Sequence, residues 1–247
     1  MEINLKENER IDDLQLDNLK IIQNTDGFCF GIDSVLLSDF AKEIKANSNI
    51  IDLGTGTGII AILLSSKTKA KSIIGVEIQK DVAEMAQRSI LLNRLENRIK
   101  IINEDLRDLD KILPLDFYDT IVTNPPYIKD KTGFNNENNK KLISRHEVLC
   151  SIEDIAKISY KLLKNKGEIY MVHRPDRLTD IMEIFGNYKL KIKEIRLVYS
   201  NKNSDANLVL IKAVKNGQTF LKIKKPLFVY DDNKNYTEEI LKIYNRI

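Results

Sequence analysis

From Ile50 onward, short apolar runs alternate with segments in which apolar residues recur every three or four positions. The runs "NIIDLG", "SIIGVEI", "IKIINED", "YDTIVTN" and "EIYMVH" have the length and β-branched content of buried strands. Between them lie helical patterns. "IIAILLSSK" follows the first run. "DVAEMAQRSILLNRL" follows the second; Asp81 and Glu84 read as its capping box, with Val82, Met85, Ala86 and Ser89 on one face. Ser151 opens a further helix that carries Ile152, Ile155, Ala156, Leu162 and Leu163 on one side, and Asn165-Lys166-Gly167 reads as its stop. Another helix is expected from about Arg177 to Phe185. Two strands, "LKIKEIRLVYS" and "ANLVLIKAVK", close the series. Their connection, Asn201 to Asp205, is too short for a parallel crossover, so they are expected to form an antiparallel hairpin.

This order predicts an α/β protein with a doubly wound, mostly parallel sheet and an antiparallel C-terminal strand pair. It resembles the class I methyltransferase fold, a Rossmann-like sheet. Residues 50–215 form the expected core. Residues 1–49, with an extended piece "LKIIQNTDGFCF" and a helix "DSVLLSDFAKEI", form an N-terminal extension packed on it. Residues 216–247, with an extended stretch and a helix capped by Asn235, form a C-terminal extension. No low-complexity linker or internal repeat separates them, so one structural domain is expected.

Composition narrows the classes of function. Of the 247 residues, 43% are hydrophobic, enough for a sizeable core. No apolar run is long enough to span a membrane, and the charged segment "MEINLKENERIDDL" does not resemble a secretory signal. Cys29 and Cys150 stand far apart, as do His146 and His173, so neither metal-ligand spacing nor a disulfide framework is present and a cytoplasmic protein is expected. The net charge of +3 is compatible with a polyanionic partner without requiring one, because an AT-rich coding sequence also enriches lysine.

The candidate chemistry lies at the ends of the strands. In "IIDLGTGTG", Gly54, Gly56 and Gly58 mark a turn at which backbone can approach a ligand closely. The G-x-G-x-G spacing does not suit a dinucleotide pyrophosphate, and Asp52 before the loop would repel a phosphate but suit a cation. Glu77 ends the second strand, where a carboxylate can accept from both ribose hydroxyls. The motif "DLGTGTG" resembles the first motif of methyltransferases that use S-adenosylmethionine, a sulfonium and ammonium cofactor. That resemblance implies a cofactor site of Asp52, Gly54, Thr55, Gly56, Gly58, Glu77, Ile78, Asp105, Leu106 and Asn124, with Asp105 near the adenine amine. Each acidic position is also an ordinary strand-end cap or turn residue.

The fourth run opens into Asn124-Pro125-Pro126-Tyr127. Two prolines fix φ and end the strand. The motif resembles that of methyltransferases acting on planar nitrogen: adenine N6, cytosine N4 or a glutamine amide. In that reading the Asn124 oxygen and the Pro125 carbonyl accept the N–H groups, Pro126 stiffens the turn, and Tyr127 stacks on the acceptor.

The flanks resemble a narrower family. "TDGFCFGIDSVLLSDFA", "SRHEVLCSIEDI" and "MVHRPDRLTDIM" are similar to bacterial tRNA1(Val) (adenine-N6)-methyltransferases, and "KPLFVYDDNKNYTEEI" to relatives from Gram-positive bacteria. This resemblance implies methylation of N6 of an adenine next to the anticodon of a tRNA; the composition above adds the expectation of no metal and no membrane. Lys129, Lys131, Lys140, Lys141 and Arg145 flank the acceptor turn and are candidate phosphate contacts; a solvated loop is the alternative. Arg145 and His146, or Arg174 and Arg177, can equally anchor loops to the core. A release-factor glutamine methyltransferase shares the motif but carries a larger helical domain before the first strand. A DNA adenine methyltransferase carries a separate target-recognition region. A non-enzymatic RNA-binding module would be expected to show a broken motif.

Overall fold

The computed structural model describes residues 4–27, 29–126 and 150–246. An N-terminal hairpin, β1 (Glu9–Asp13) and β2 (Lys20–Asn24), precedes helix α1 (Ile32–Phe40). The core alternates β3 (Asn49–Leu53), α2 (Ile59–Lys67), β4 (Ser72–Glu77), α3 (Lys80–Leu92), β5 (Ile99–Asn103), β6 (Tyr118–Thr123), α4 (Ile152–Leu162), β7 (Leu163–His173) and α5 (Leu178–Asn187). It ends in β8 (Leu190–Tyr199) and β9 (Ala206–Lys215), followed by the short strands β10 (Lys222–Ile223) and β11 (Leu227–Phe228) and helix α6 (Glu238–Ile243).

Among the described residues, nine strands form one sheet in the order β10-β8-β9-β7-β6-β3-β4-β5, with β11 also on β8. Strands β5, β4, β3, β6 and β7 are parallel, whereas β9 is antiparallel to both β7 and β8. The hairpin is therefore present with β9 as its inner strand. This is the class I methyltransferase sheet.

Two apolar clusters cover the two faces. One joins Ile50, Val122, Tyr170 and Leu210 of the sheet to α1, α2 and α3. The other joins Ile51, Ile121, Met171 and Ile211 to α4 and α5. Along each strand, neighbouring residues supply opposite clusters, the period of two expected of a sheet buried on both faces. Helix α2 is buried from Ile59 through Ser65. It is apolar all round because Leu14, Leu16, Ile240 and Ile243 of the two flanks cover its outer side.

The local details depart from the sequence pattern at four places. No Asp81–Glu84 capping box forms: α3 starts at Lys80, and Gln79 caps it without a side-chain bond. The Glu84 carboxylate is instead held by Arg88 at 2.8 Å and Lys6 at 2.7 Å, and Ala83 and Ile90, rather than Val82, complete the buried face. Helix α4 has its capping box, between Ser151 and Asp154, but stops at Leu162, before Asn165-Lys166-Gly167. Leu163 already pairs with Tyr118 in the sheet, and Lys166 at φ 65 lies in the irregularity that follows. Helix α6 is capped by Thr237, whose Oγ1 accepts from Ile240 N, and not by Asn235. Finally, β1 was not visible in the pattern: "ERIDD" has one apolar residue, and only pairing to β2 makes it a strand.

The hairpin is bound to α3. Ser89 Oγ accepts from Ile22 N at 3.0 Å, Asn93 exchanges bonds with both backbone groups of Lys20, and Arg88 grips the Glu9 carboxylate with two bonds of 2.6 Å. No described helix is long and apolar enough to cross a membrane.

Candidate active site

The parallel register brings the ends of four strands to one edge: Leu53 is level with Val76 and Thr123, and Glu77 with Asn103. Ligands of doubly wound sheets sit at this edge. The chain leaves β3 through Gly54 (φ 71) and Gly56 (φ 56), a left-handed conformation that side chains disfavour. A Cβ built on either would meet nothing within 4 Å among the described residues, so the loop presents bare backbone on that side.

The loop is held from below. Glu77 is buried; its Oε2 accepts from Gly56 N at 3.1 Å and its Oε1 from Gln79 N at 2.9 Å. Each carboxylate oxygen keeps a further lone pair. Asn103 Nδ2 donates to the carbonyls of Glu77 (2.8 Å) and Ile78 (2.9 Å), which fixes the end of β4. Thr55 N donates to Val76 O at 2.9 Å, and Thr55 Oγ1 donates to Asp52 Oδ2 at 2.6 Å.

Asp52 is fully buried, and its Oδ1 makes no hydrogen bond of normal geometry among the described residues. Burial pushes its carboxyl up to about 7; the Thr55 hydroxyl and the Ala61 amide oppose this, and the charge of Glu77 adds to it. Asp52 therefore supports the loop from beneath, linked to its upper side through Thr55. The close approach of Thr55 to β4 explains a residue the sequence reading passed over: a Cβ on Gly75 would lie 2.9 Å from Thr55 Oγ1 and 2.7 Å from Ile101 Cδ1.

Asp105 is at the same edge, after β5, but its carboxylate is engaged. It caps the 3-10 turn Leu106–Lys111 by accepting from Arg107 N, and both oxygens accept from the Arg107 guanidinium at 2.5–3.0 Å. That guanidinium holds the Asp105 carboxyl below the usual carboxylate range. Leu106 and Ile78 are half-buried beside it.

The turn opened by Asn124, Pro125 and Pro126 follows β6 directly. Thr123 Oγ1 donates to Leu53 O at 3.0 Å, which ties the end of β6 to the residue before the glycine loop. Asn124 Nδ2 donates to Ser34 Oγ at 3.2 Å. Pro125 is buried and Pro126 exposed. Ser34 was not singled out from sequence; its only signal is a buried polar residue beside Val35, Leu36 and Leu37 in the first turn of α1. Tyr127, Lys129, Lys131, Lys140, Lys141, Arg145 and His146 lie outside the described residues. Arg177 pairs with Asp180 at 2.8 Å, and Arg174 donates to Asn207 O at 3.0 Å.

The arrangement fits S-adenosylmethionine. Among the described residues, the glycine loop has bare backbone with no neighbour against it, a buried carboxylate ends the adjoining strand, and a second carboxylate with an unpartnered oxygen lies beside the loop. Comparison with known proteins agrees. Residues 30–199 match the family model of the methyltransferase small domain. The chain belongs to this family. Its cofactor is S-adenosylmethionine. A Porphyromonas gingivalis protein named tRNA1(Val) (adenine(37)-N6)-methyltransferase is 30% identical over 67% of this chain and 68% of its own length. A Flavobacterium johnsoniae protein of the same name is 26% identical over 92% and 95% of the two chains. Among solved structures, a predicted O-methyltransferase from Agrobacterium tumefaciens superposes with a TM-score of 0.70 at 21% identity, covering 86% of this chain and 95% of that one; it supports the fold alone.

Proposed function

We propose that this methyltransferase transfers a methyl group to the exocyclic N6 of an adenine in tRNA, beside the anticodon. Asn124 carries the reading: it stands at the end of β6, next to the cofactor loop, with its amide nitrogen committed to Ser34. In that orientation Oδ1 is the accepting end of the amide. The relatives named for this activity supply the acceptor class.

When bound, S-adenosylmethionine supplies an electrophilic methyl carbon on a sulfonium. Glu77 would hold the ribose hydroxyls with the lone pairs not given to Gly56 and Gln79. Gly54, Thr55, Gly56 and Gly58 would pass under the methionine part, with Asp52 below; Ile78, Asp105 and Leu106 would flank the adenine. Asn124 Oδ1 and the Pro125 carbonyl would accept the two N6 protons of the acceptor. An exocyclic amine is planar, with its lone pair delocalised into the ring. Two acceptors on its protons bend it toward tetrahedral geometry and aim the lone pair. Both bonds strengthen as positive charge grows on nitrogen, so they act mainly in the transition state. Tyr127 would offer the stacking face, and Lys129, Lys131, Lys140, Lys141 and Arg145 the phosphate contacts.

The test is transfer of labelled methyl to unmodified tRNA, duplex DNA and a recombinant release factor in parallel. Label recovered as N6-methyladenosine from tRNA alone is expected. Label on a release-factor glutamine, with none in RNA, would overturn the reading.

A further inference from the structure

The outer edge of the sheet, remote from the acceptor turn, carries a concentration of lysines. Lys189, Lys191 and Lys193 lie at and along the start of β8; Lys222 lies in β10, and Lys225 just beyond it. None of these five has an ion pair among the described residues. The acidic side chains between them are already taken: Glu194 by Lys224 at 2.9 Å, and Glu239 by Arg196 at 2.7 Å. On the neighbouring helix α5, Glu183 is exposed and Asp180 pairs with Arg177 at 2.8 Å.

The same surface exposes apolar groups. Phe220 is 67% and Ile223 68% exposed, with Met182 also exposed beside them. Lys193 Nζ lies 5.3 Å from the centre of the Phe220 ring. A shallow cleft of about 200 Å³, lined by Met182, Leu190, Lys191, Ile192, Phe220 and Leu221, runs beneath. Lys193 Nζ also donates to Gln218 O at 3.0 Å. Cations without a carboxylate partner around an exposed aromatic ring match a nucleic-acid strand, whose phosphates take the charges and whose bases or sugars take the ring.

We propose that this edge is a second RNA-contacting surface that holds phosphates of the tRNA body while the acceptor turn engages its adenine. The proposal rests on tRNA being the substrate. Geometry sets what part of the RNA can reach it. Four strand steps separate β10 from β6, about 19 Å at the usual spacing of about 4.8 Å. Strand β8 runs parallel to β6, and the register sets Lys191 level with Thr120 and Lys222 level with Val122, four and two residues before Asn124, so the separation is mainly across the sheet. The nucleotides immediately beside the target do not span that distance; the body of a folded tRNA does.

The experiment compares a full-length tRNA transcript with an isolated anticodon stem–loop. The variant combines Lys191→Ala, Lys193→Ala and Lys222→Ala; a second combines Lys→Arg at the same positions. The alanine variant should raise KM for full-length tRNA about tenfold or more, keep kcat, and flatten the salt dependence of binding by about 2–3 in log–log slope. Its KM for the stem–loop should equal that of the wild type, and the arginine variant should behave as wild type on both. An unchanged KM for full-length tRNA, or an equal rise on both RNAs, would overturn the proposal. So would salt-sensitive binding to phosphatidylglycerol vesicles with tRNA affinity unmoved by the substitutions, which would give the surface to a membrane. If the wild type methylates neither RNA, the substrate reading fails and takes this assignment with it.

Discussion

The Asn124 side-chain amide donates to the hydroxyl of Ser34 at 3.2 Å, across 90 residues of chain. The first helix thus orients the residue that opens the turn proposed to receive the acceptor. Asn124→Ala should lower methyl transfer about a hundredfold or more and leave cofactor affinity within a few fold, the pattern for a contact made in the transition state. Ser34→Ala removes the orienting partner but leaves the acceptor. It should lower kcat about tenfold, the scale of one neutral hydrogen bond, with cofactor binding unchanged. Equal activity of Ser34→Ala and wild type would show that Asn124 is oriented by something else.

Glu77 holds Gly56, and in the proposed reading it also receives the ribose. Isothermal titration of Glu77→Ala with S-adenosylmethionine should show at least about tenfold weaker binding, the loss expected of bonds to a charged acceptor. Glu77→Gln keeps one carbonyl acceptor and should fall between. Wild-type affinity in folded Glu77→Ala would remove Glu77 from the cofactor site.

Burial raises the Asp52 carboxyl to about 7, well above its unfolded value of 3.8. Between those values the folded chain holds a proton that the unfolded chain has released, so stability falls as pH rises from about 4 to about 7 and levels off above. Asp52→Asn removes this dependence. In thermal melts it should be more stable than wild type at pH 8, by up to about 4 kcal/mol, and the gain should shrink toward pH 4. The same substitution should abolish any tightening of cofactor binding as pH passes through about 7. A gain at pH 8 that persists undiminished at pH 4 would mean that Asp52 is ionised in the fold throughout.

His173 at the end of β7 has the opposite sign. Burial lowers its imidazole to about 4, while its Nδ1 accepts from the Arg174 amide at 2.8 Å. The charges of Arg177 and Arg174 lower it further, and that of Asp176 raises it. The unfolded chain takes up a proton near 6.5 that the folded chain refuses until about 4, so stability is lost as pH falls through this window. His173→Gln should flatten that acid limb in melts between pH 7 and pH 4. An unchanged limb would assign it to other groups.

The sheet was legible from the sequence because both of its faces are buried. Runs such as "NIIDL" and "YDTIVT" need little context when apolar clusters lie on either side. The placement of the glycine turn, Glu77 and Asn124 followed from strand ends, which apolar runs mark well. What was illegible depends on partners distant in sequence. Glu84 looks like a capping residue until Lys6 and Arg88 claim it, and β1 looks like a polar loop until β2 lies beside it. Ser34, Asn103 and Gly75 are silent for the same reason: each acts on a neighbour from another strand or helix. Asp105 was readable as a strand-end carboxylate, but not as one whose oxygens Arg107 occupies.

The two flanks meet each other as well as the core. Arg246 Nε donates to Gln15 Oε1 at 2.7 Å, and Lys67 Nζ donates to Ile243 O at 3.0 Å. Leu14 and Leu16 share one apolar cluster with Ile240 and Ile243, so the outer side of α2 is closed by segments more than 220 residues apart in the chain. Contacts so distant form only after the intervening chain exists, and they slow folding by the loop closure they require. On the ribosome, the early hairpin must therefore wait with its leucines uncovered until α6 has emerged. The nascent chain is most vulnerable to proteases and to self-association during this interval, and newly made rather than mature enzyme should be the form that depends on chaperones.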